Sequence, residues 1–361
     1  MKINASILLG EKFKFLEKGH IVIQKDKIKK VGRGFIRDAI NFKDYLIMPS
    51  LINSHIHIGD SFAKEAVLGL NVEEAVSKKG KKWQLYKKAS KREILEEMKN
   101  SAEFMLSVGI THFADFREHE NNGVILLKKA LENLPIKAFI FGRGKNLNLS
   151  LCDGLGLNVY NIPQIQKDID GKLIAIHAGE RDNEIERALA CADVIIHFTK
   201  ATKEQMKIAA EKKISIVICP RSNAALSVGI PPVREFLNFG LNVALGTDNV
   251  MINSPNLWRE MEFISKLSYL SKPLKPVEIL SMVTINAAKI FGLNSGFIAN
   301  KKTANLIFLD KNSKNLHRCK DILAGIIHRC EPENVRKVMI NGKFVLDKDN
   351  NIVNSKNEKA Y

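Results

Sequence analysis

Two histidines, His55 and His57, stand two residues apart at the end of the apolar run that begins at Met48. Side chains two residues apart in a strand point to the same side of the sheet, so both imidazoles can bind one ion together. Three later apolar runs also end in a residue type that binds metal ions, and these are Ile174-Ala-Ile-His177, Val194-Ile-Ile-His197 and Val243-Ala-Leu-Gly-Thr-Asp248. Because a catalytic metal site needs several imidazole or carboxylate groups, the pattern predicts such a site at the ends of strands.

Residues 48–302 alternate short apolar runs with segments of helical periodicity. Capping boxes mark helix starts at Ser90-Lys-Arg-Glu93 and at Thr202-Lys-Glu-Gln205. Eight apolar runs are strand candidates, at residues 46–52, 110–116, 137–141, 155–159, 173–176, 194–196, 214–218 and 243–245. This alternation predicts a closed parallel (β/α)8 barrel, in which catalytic residues lie at the C-terminal ends of the strands. The histidines and the aspartate above all occupy such ends.

Both termini of the chain have the pattern of short β-strands. Residues 20–32 predict a hairpin, and residues 338–346 predict a second hairpin whose Asn341-Gly342 pair suits a type I′ turn. Thr303-Ala-Asn-Leu-Ile-Phe-Leu-Asp310 predicts a further strand. We therefore expect a small β-sandwich domain built from residues 1–47 and 303–361 beside a catalytic barrel of residues 48–302.

The order of the motifs, His-x-His, His-x-x-Glu, His and Asp, each on its own strand, resembles the amidohydrolase superfamily. More narrowly, it is similar to the branch of cytosine, guanine and adenosyl-compound deaminases and triazine chlorohydrolases. Cys219-Pro-Arg-Ser-Asn223 and Gly240-Leu-Asn-Val-Ala-Leu-Gly-Thr-Asp248 resemble the seventh and eighth strands of that branch. The resemblance covers nearly the whole chain, and it implies the same barrel and the same β domain formed from both termini.

The residue types and the resemblance together assign roles to the site. The expected ligands of one divalent ion, zinc in the first place with iron or manganese as alternatives, are His55, His57, His177 and Asp248. Zinc lowers the pKa of bound water from about 15.7 to roughly 7, which makes hydroxide available at neutral pH. Asp248 can also accept the water's proton, Glu180 can pass a proton to a ring nitrogen as general acid, and His197 can steer the hydroxide or polarise the group attacked.

The fourth predicted strand departs from two patterns of the superfamily. Relatives with two metal ions have a bridging lysine or glutamate at its end, but residues 154–160 contain neither, so we expect one ion per chain. The same segment lacks the Gly-x-x-Pro-His element with which many adenosyl-compound deaminases hold the purine. We therefore expect a deaminase of a nitrogen heterocycle, such as a purine, pyrimidine or pterin-like base or nucleoside. Alternatives are hydrolysis of a cyclic amide or of a chloro-heterocycle, a non-catalytic scaffold, and a nucleic-acid-binding protein.

Five side chains are weaker candidates for contacts with this small heterocyclic substrate, and they are Asp60, Lys64, Trp83, Arg143 and Asn223. Asp60 and Lys64 follow the His-x-His motif, and Trp83 could stack on a flat ring. Charged residues at a barrel rim are usually just solvated, however, and Asn223 has an alternative role in bracing its own loop.

The composition limits the class of protein. The net charge of +17 would suit a polyanion, but the lysines are spread along the chain without interleaved aromatic residues, so nucleic-acid binding is not expected. The five cysteines form no CxxC pair, which predicts a reducing, cytoplasmic environment. No apolar stretch approaches the length of a membrane span or a signal peptide. A homo-oligomer remains open.

Overall fold

The computed structural model describes residues 1–164, 171–181, 184–350 and 352–353. The chain begins with four strands, β1 (Lys2–Leu9), β2 (Lys14–Gln24), β3 (Lys27–Arg33) and β4 (Ile40–Pro49). Strands β2 and β3 pair antiparallel, as the hairpin pattern predicts. Strand β1 pairs antiparallel with β2 and parallel with β4.

The central part of the chain forms a ring of parallel strands. These strands are β5 (Leu51–His57), β6 (Ile110–Arg117), β7 (Lys137–Gly142), β8 (Gly154–Asn158), β9 (Leu173–Ala178), β10 (Val194–His197), β11 (Ser215–Ile218), β12 (Val243–Leu245) and β13 (Asp248–Asn249). Strands β5 to β12 pair in sequence order, and β13 continues β12 and pairs with β5. Thr247 N also donates to His55 O at 3.0 Å. The two short pieces therefore act as the eighth strand and close the barrel.

The described helices are α1 (Val72–Val76), α2 (Lys81–Tyr86), α3 (Lys91–Ser107), α4 (Glu120–Ala130), α5 (Ile185–Leu189), α6 (Lys203–Glu211), α7 (Pro220–Ala225), α8 (Val233–Asn238), α9 (Leu257–Ser268), α10 (Pro276–Met282), α11 (Ile285–Ile290) and α12 (Ile322–Arg329). The predicted capping box at Thr202 is confirmed, and at Ser90 the structure shows the N-cap half of the predicted box. The Ser90 side chain accepts from Glu93 N at 3.1 Å, and the Thr202 side chain accepts from Gln205 N at 3.2 Å. These contacts satisfy backbone donors that the first turn leaves without a partner.

The chain ends with strands β14 (Leu306–Asp310), β15 (Val335–Ile340), β16 (Lys343–Asp347) and β17 (Ile352–Val353). Strand β14 pairs antiparallel with β4, which joins the two ends of the chain in one mixed sheet of order β17-β16-β15-β14-β4-β1-β2-β3. Between β15 and β16, Asn341 (φ 51°) and Gly342 (φ 77°) both have the left-handed backbone that a type I′ turn requires. The predicted fold class is confirmed, whereas the domain limits at residues 47 and 303 remain predictions.

The sheet from the two termini is buried on both faces at β1, β14 and β15, whereas most of β3 is exposed. Ile47, Phe308 and Met339 pack on one face in a core of their own, while Leu46, Ile307 and Val338 on the other face join the core of the barrel. Among the described residues, no helix is long and apolar enough to cross a membrane. All five cysteines are free thiols.

Candidate metal centre and active site

The four predicted metal ligands converge at the C-terminal mouth of the barrel. His55 Nε2 lies 3.1 Å from His177 Nε2 and 3.2 Å from Asp248 Oδ1. His57 Nε2 lies 3.3 Å from His177 Nε2. One donor atom of each of the four residues lies within 4.8 Å of the others. Because β5, β9 and β13 are parallel strands of one barrel, their ends bring together residues almost 200 positions apart.

The donor set fits a divalent cation. Burial lowers the pKa of His55 to about 3 and holds the pKa of His177 well below its ordinary value, so both rings are neutral, as metal ligands must be. Neutral imidazole nitrogens that face each other with their lone pairs repel unless a cation lies between them. Tetrahedral zinc with ligands at about 2.1 Å would separate its ligand atoms by about 3.4 Å, close to the distances given above.

Asp248 is held with one oxygen turned toward this cluster. Its Oδ2 accepts a hydrogen bond from the Ser222 hydroxyl, and Oδ1 faces the imidazole of His55. Burial opposes ionisation, but the contact with His55 and the neighbouring imidazoles outweigh it and hold the pKa of Asp248 well below its usual range. The backbone of Asp248 is left-handed, with φ 56°. Such a conformation is costly for a residue with a side chain and is often found at functional sites.

Close packing beneath the ligands explains the glycine that precedes Asp248 by two residues. A Cβ atom on Gly246 would lie 2.7 Å from the His55 Cβ and 2.8 Å from the backbone nitrogen of the same residue. A side chain at Gly246 would therefore displace β5, which carries both histidines of the His-x-His motif.

Glu180 and His197 lie next to the metal cluster and contact each other. His197 Nε2 is 3.6 Å from Glu180 Oε1, and Nδ1 of the same ring lies 2.8 Å from Asn223 Oδ1. His197 ends β10 in a left-handed conformation, with φ 74°. Glu180 follows the end of β9 and lies in the wall of a cleft, so an acid and an imidazole both reach the place where a substrate would approach the metal.

The cleft above these groups has a volume of about 720 Å³. Its walls combine flat and apolar side chains, such as Trp83, Tyr160, Leu226 and Ile252, with charged ones such as Arg143. Pockets of this size and mixture commonly hold a small ligand. Two of the five predicted substrate contacts, Trp83 and Arg143, therefore line the cleft.

The other three predicted substrate contacts are not part of the described cleft wall. Asp60 is fully buried and accepts hydrogen bonds from Tyr86 Oη and Asn249 Nδ2, both at 2.7 Å. Lys64 pairs with Glu97 on the outer surface, because the 3₁₀ turn Ile58–Ala63 ends just before it. Asn223 lies behind His197 and donates to Thr199 Oγ1 at 2.8 Å.

A buried ion network that was not predicted from the sequence lies behind His57. Glu118 Oε1 lies 3.0 Å from His57 Nδ1 and 2.6 Å from Lys82 Nζ, while Glu118 Oε2 lies 3.0 Å from an Arg117 nitrogen. Burial would raise the pKa of Glu118, but Lys82, His57 and Arg117 outweigh burial and hold that pKa well below normal. Burial likewise opposes the charge on Lys82, yet Asp60 and Glu118 raise the lysine's pKa. The sequence offered one indication of this network, because Glu118 directly follows β6 and so lies at the end of a barrel strand.

The chain is similar to known proteins along nearly its whole length. The model of the amidohydrolase family matches residues 46–164 and 158–345. A protein of Methanothermobacter thermautotrophicus is 33% identical over 384 residues, which cover 95% of this chain and 98% of that relative. The 5-methylthioadenosine/S-adenosylhomocysteine deaminase of Thermococcus sibiricus is 24% identical over 400 residues, covering 95% of this chain and 93% of its own.

The fold is similar to that of a solved zinc enzyme. Atrazine chlorohydrolase from Arthrobacter aurescens, in complex with zinc, has a TM-score of 0.79 at 18% identity, and the superposition covers 96% of each chain. At this identity the likeness concerns the fold alone.

Proposed function

Because the chain belongs to the amidohydrolase family, and is thus a metal-dependent hydrolase, we propose that it is a hydrolytic deaminase of a nitrogen heterocycle. The substrate class is a purine, pyrimidine or pterin-like base or nucleoside. The observation that carries the proposal is the 3.6 Å pairing of Glu180 with His197 beside the cluster of His55, His57, His177 and Asp248. A proton donor and an imidazole at one metal site are the groups that an addition of water to an amino-bearing ring carbon needs.

In this mechanism Asp248 and Glu180 transfer protons, and His197 orients the attacking oxygen. A divalent ion held by the four ligands would lower the pKa of bound water from about 15.7 to roughly 7. Asp248 Oδ1 accepts the proton of the attacking water, because Ser222 already occupies Oδ2. Glu180 gives a proton to the ring nitrogen next to the attacked carbon, and His197 Nε2 orients the attacking oxygen. A C–O bond forms, the exocyclic C–N bond breaks, and the proton taken by Asp248 leaves with ammonia. The remaining proton of the added hydroxyl passes to Glu180 as the carbonyl forms, which restores the acid for the next cycle.

We propose one zinc ion per chain, with iron or manganese as alternatives. The end of β8 presents Asn158 to the cleft rather than a lysine or glutamate that could bridge two ions. The zinc in the Arthrobacter aurescens enzyme supports the choice of metal, and the name of the Thermococcus sibiricus relative supports the class of reaction.

The decisive experiment is a screen for ammonia release. Purified protein is depleted of metal with a chelator, divided, and assayed with and without restored zinc. The panel comprises adenine, guanine, cytosine, pterin, their nucleosides, 5-methylthioadenosine and S-adenosylhomocysteine. Zinc-dependent ammonia release from one group of these compounds is the expected result. Ring opening of a cyclic amide or chloride release from a chloro-heterocycle, without ammonia from the panel, would assign a different hydrolysis to the same site.

A further inference from the structure

Lys82, in the helix α2, is buried beside the predicted metal ligand His57. Lys82 lies in the short helix α2, yet only 3% of it is exposed. Its Nζ atom is 2.8 Å from Asp60 Oδ2 and 2.6 Å from Glu118 Oε1. Glu118 Oε1 is in turn 3.0 Å from Nδ1 of His57, on the side of the ring away from the metal cluster.

These contacts have a direct consequence for the ring of His57. A carboxylate can only accept a hydrogen bond, so His57 Nδ1 carries the proton and Nε2 is left with its lone pair toward His177. Partners of this kind fix the tautomer and the orientation of a ligating imidazole. Arg117 holds the other oxygen of Glu118, and of the two cations at Oε1, Lys82 at 2.6 Å is nearer than Arg143 at 3.5 Å.

The Lys82 ammonium also occupies a place where a divalent metal ion could bind. Carboxylate oxygens of Asp60 and Glu118 lie close enough together, beside the ring of His57, to hold a divalent ion. The lysine ammonium lies between the two carboxylates of this set. Without Lys82, Asp60 would lose its described ion-pair partner and Glu118 would keep only Arg117 and Arg143, which is unfavourable for two buried carboxylates.

We propose that Lys82 and Glu118 form a positioning pair for the metal ligand His57, in which Lys82 is a fixed cation that excludes a second divalent ion. The proposal rests on the proposed metal-dependent function, but it concerns residues outside the predicted ligand set. The pair also connects helix α2 to the metal centre, because Trp83, the residue after Lys82, lines the substrate cleft.

The ion pair of Lys64 and Glu97 supplies a matched control. Lys64 pairs with Glu97, but half of the Lys64 side chain is exposed, and the pair lies outside the described cleft. Surface ion pairs of this kind contribute little. Lys64→Met and Glu97→Gln therefore make the same chemical changes without touching His57.

The test measures zinc binding and needs no substrate. Metal-free wild type, Glu118→Gln, Lys82→Met and the two controls are titrated with zinc against a chromophoric chelator, and each is also loaded with cobalt(II) for its absorption spectrum. Glu118→Gln should weaken zinc binding about 10- to 100-fold and change the cobalt spectrum, as loss of such a partner typically does. Lys82→Met should bind a second zinc ion, and Lys82→Met combined with Glu118→Gln should bind one. The controls should behave as wild type.

The outcomes separate this proposal from the proposed function. Wild-type protein that binds no zinc would refute the metal-dependent function itself. If wild type binds zinc but Glu118→Gln has unchanged affinity and spectrum, or if Lys82→Met binds only one ion, the positioning pair is refuted. Should Lys82→Met fail to fold, the Glu118→Gln titration still decides.

Discussion

Asn223 fixes the tautomer of His197. The amide nitrogen of Asn223 donates to Thr199 Oγ1 at 2.8 Å, so the amide oxygen is the atom that faces His197 Nδ1, also at 2.8 Å. Nδ1 must therefore carry the proton, and Nε2 presents its lone pair toward Glu180 and the cleft. Asn223 lies in α7, which starts directly after β11, so the seventh strand of the barrel controls a side chain at the end of the sixth.

Replacing Asn223 should affect the chemistry more than the binding of substrate. In Asn223→Ala the Nδ1 proton loses its acceptor, and we expect turnover to fall about 10- to 100-fold with little change in KM. Nitrogen NMR of the His197 ring would show mixed tautomers in place of one. The exposed Asn100→Ala in α3 is the control. An unchanged ring spectrum in Asn223→Ala would contradict the assigned role.

The second prediction concerns metal content. Purified wild-type protein should contain close to one zinc, iron or manganese per chain. His177→Ala should lose most of it, because His177 Nε2 lies within 3.3 Å of both other ligand nitrogens, and the cavity offers no replacement donor. The exposed His317→Ala should keep the wild-type content. Two ions per chain in wild type would contradict a mononuclear site.

The sequence was sufficient to predict that His55, His57, His177 and Asp248 lie together, because a barrel brings the ends of its strands to one place. Parallel strands in a closed barrel bring their C-terminal ends together whatever the sequence distance, so a ligand type at each end predicts contact. Capping boxes such as Thr202-Lys-Glu-Gln205 were equally readable, since their contacts are local.

The network behind His57 could not be predicted in this way. Lys82 stands in the lysine-rich run at residues 79–88, where nothing in the sequence distinguishes a buried ammonium from solvated ones. Its partner Glu118 lies 36 positions away, just after β6, and helix α3 separates β6 from α2 in the sequence. For Lys64 the sequence was misleading. Its closeness to the His-x-His motif suggested a contact with substrate in the cleft, but the turn before it directs its side chain outward to Glu97.

His112 should make the stability of the protein depend on pH. It is buried on β6, away from the metal cluster, and burial lowers its pKa to about 4. In the unfolded chain a histidine titrates near 6.5, so the unfolded state binds the proton first. The contribution of neutral, buried His112 to the free energy of unfolding is therefore fully present above about pH 6.5 and is lost as the pH falls toward 4.

Comparison with a His112→Gln variant isolates this contribution. Between pH 6.5 and 5 the free energy of unfolding of wild type should fall by about 2 kcal/mol more than that of His112→Gln. Urea unfolding of metal-free protein at several pH values measures the difference, and His317→Gln controls for an exposed histidine. Parallel pH profiles for wild type and His112→Gln would show that His112 accepts a proton as readily when folded as when unfolded.

The last prediction separates binding from chemistry at Glu180. The Glu180 carboxylate lies 3.6 Å from His197 Nε2 and lines the cleft, but it is not one of the four clustered donors. Glu180→Gln keeps the size of the side chain while removing its ability to transfer a proton. Groups of this kind typically contribute about 10²- to 10⁴-fold, so turnover should fall by that factor while zinc content and substrate affinity hold. Glu184→Gln, a change of the same size in the same cleft, should retain most of the activity because Glu184 bonds the backbone of Arg181 instead. If Glu180→Gln deaminates its substrate at the wild-type rate, the proton to the ring nitrogen comes from another group, and the mechanism proposed for this site fails.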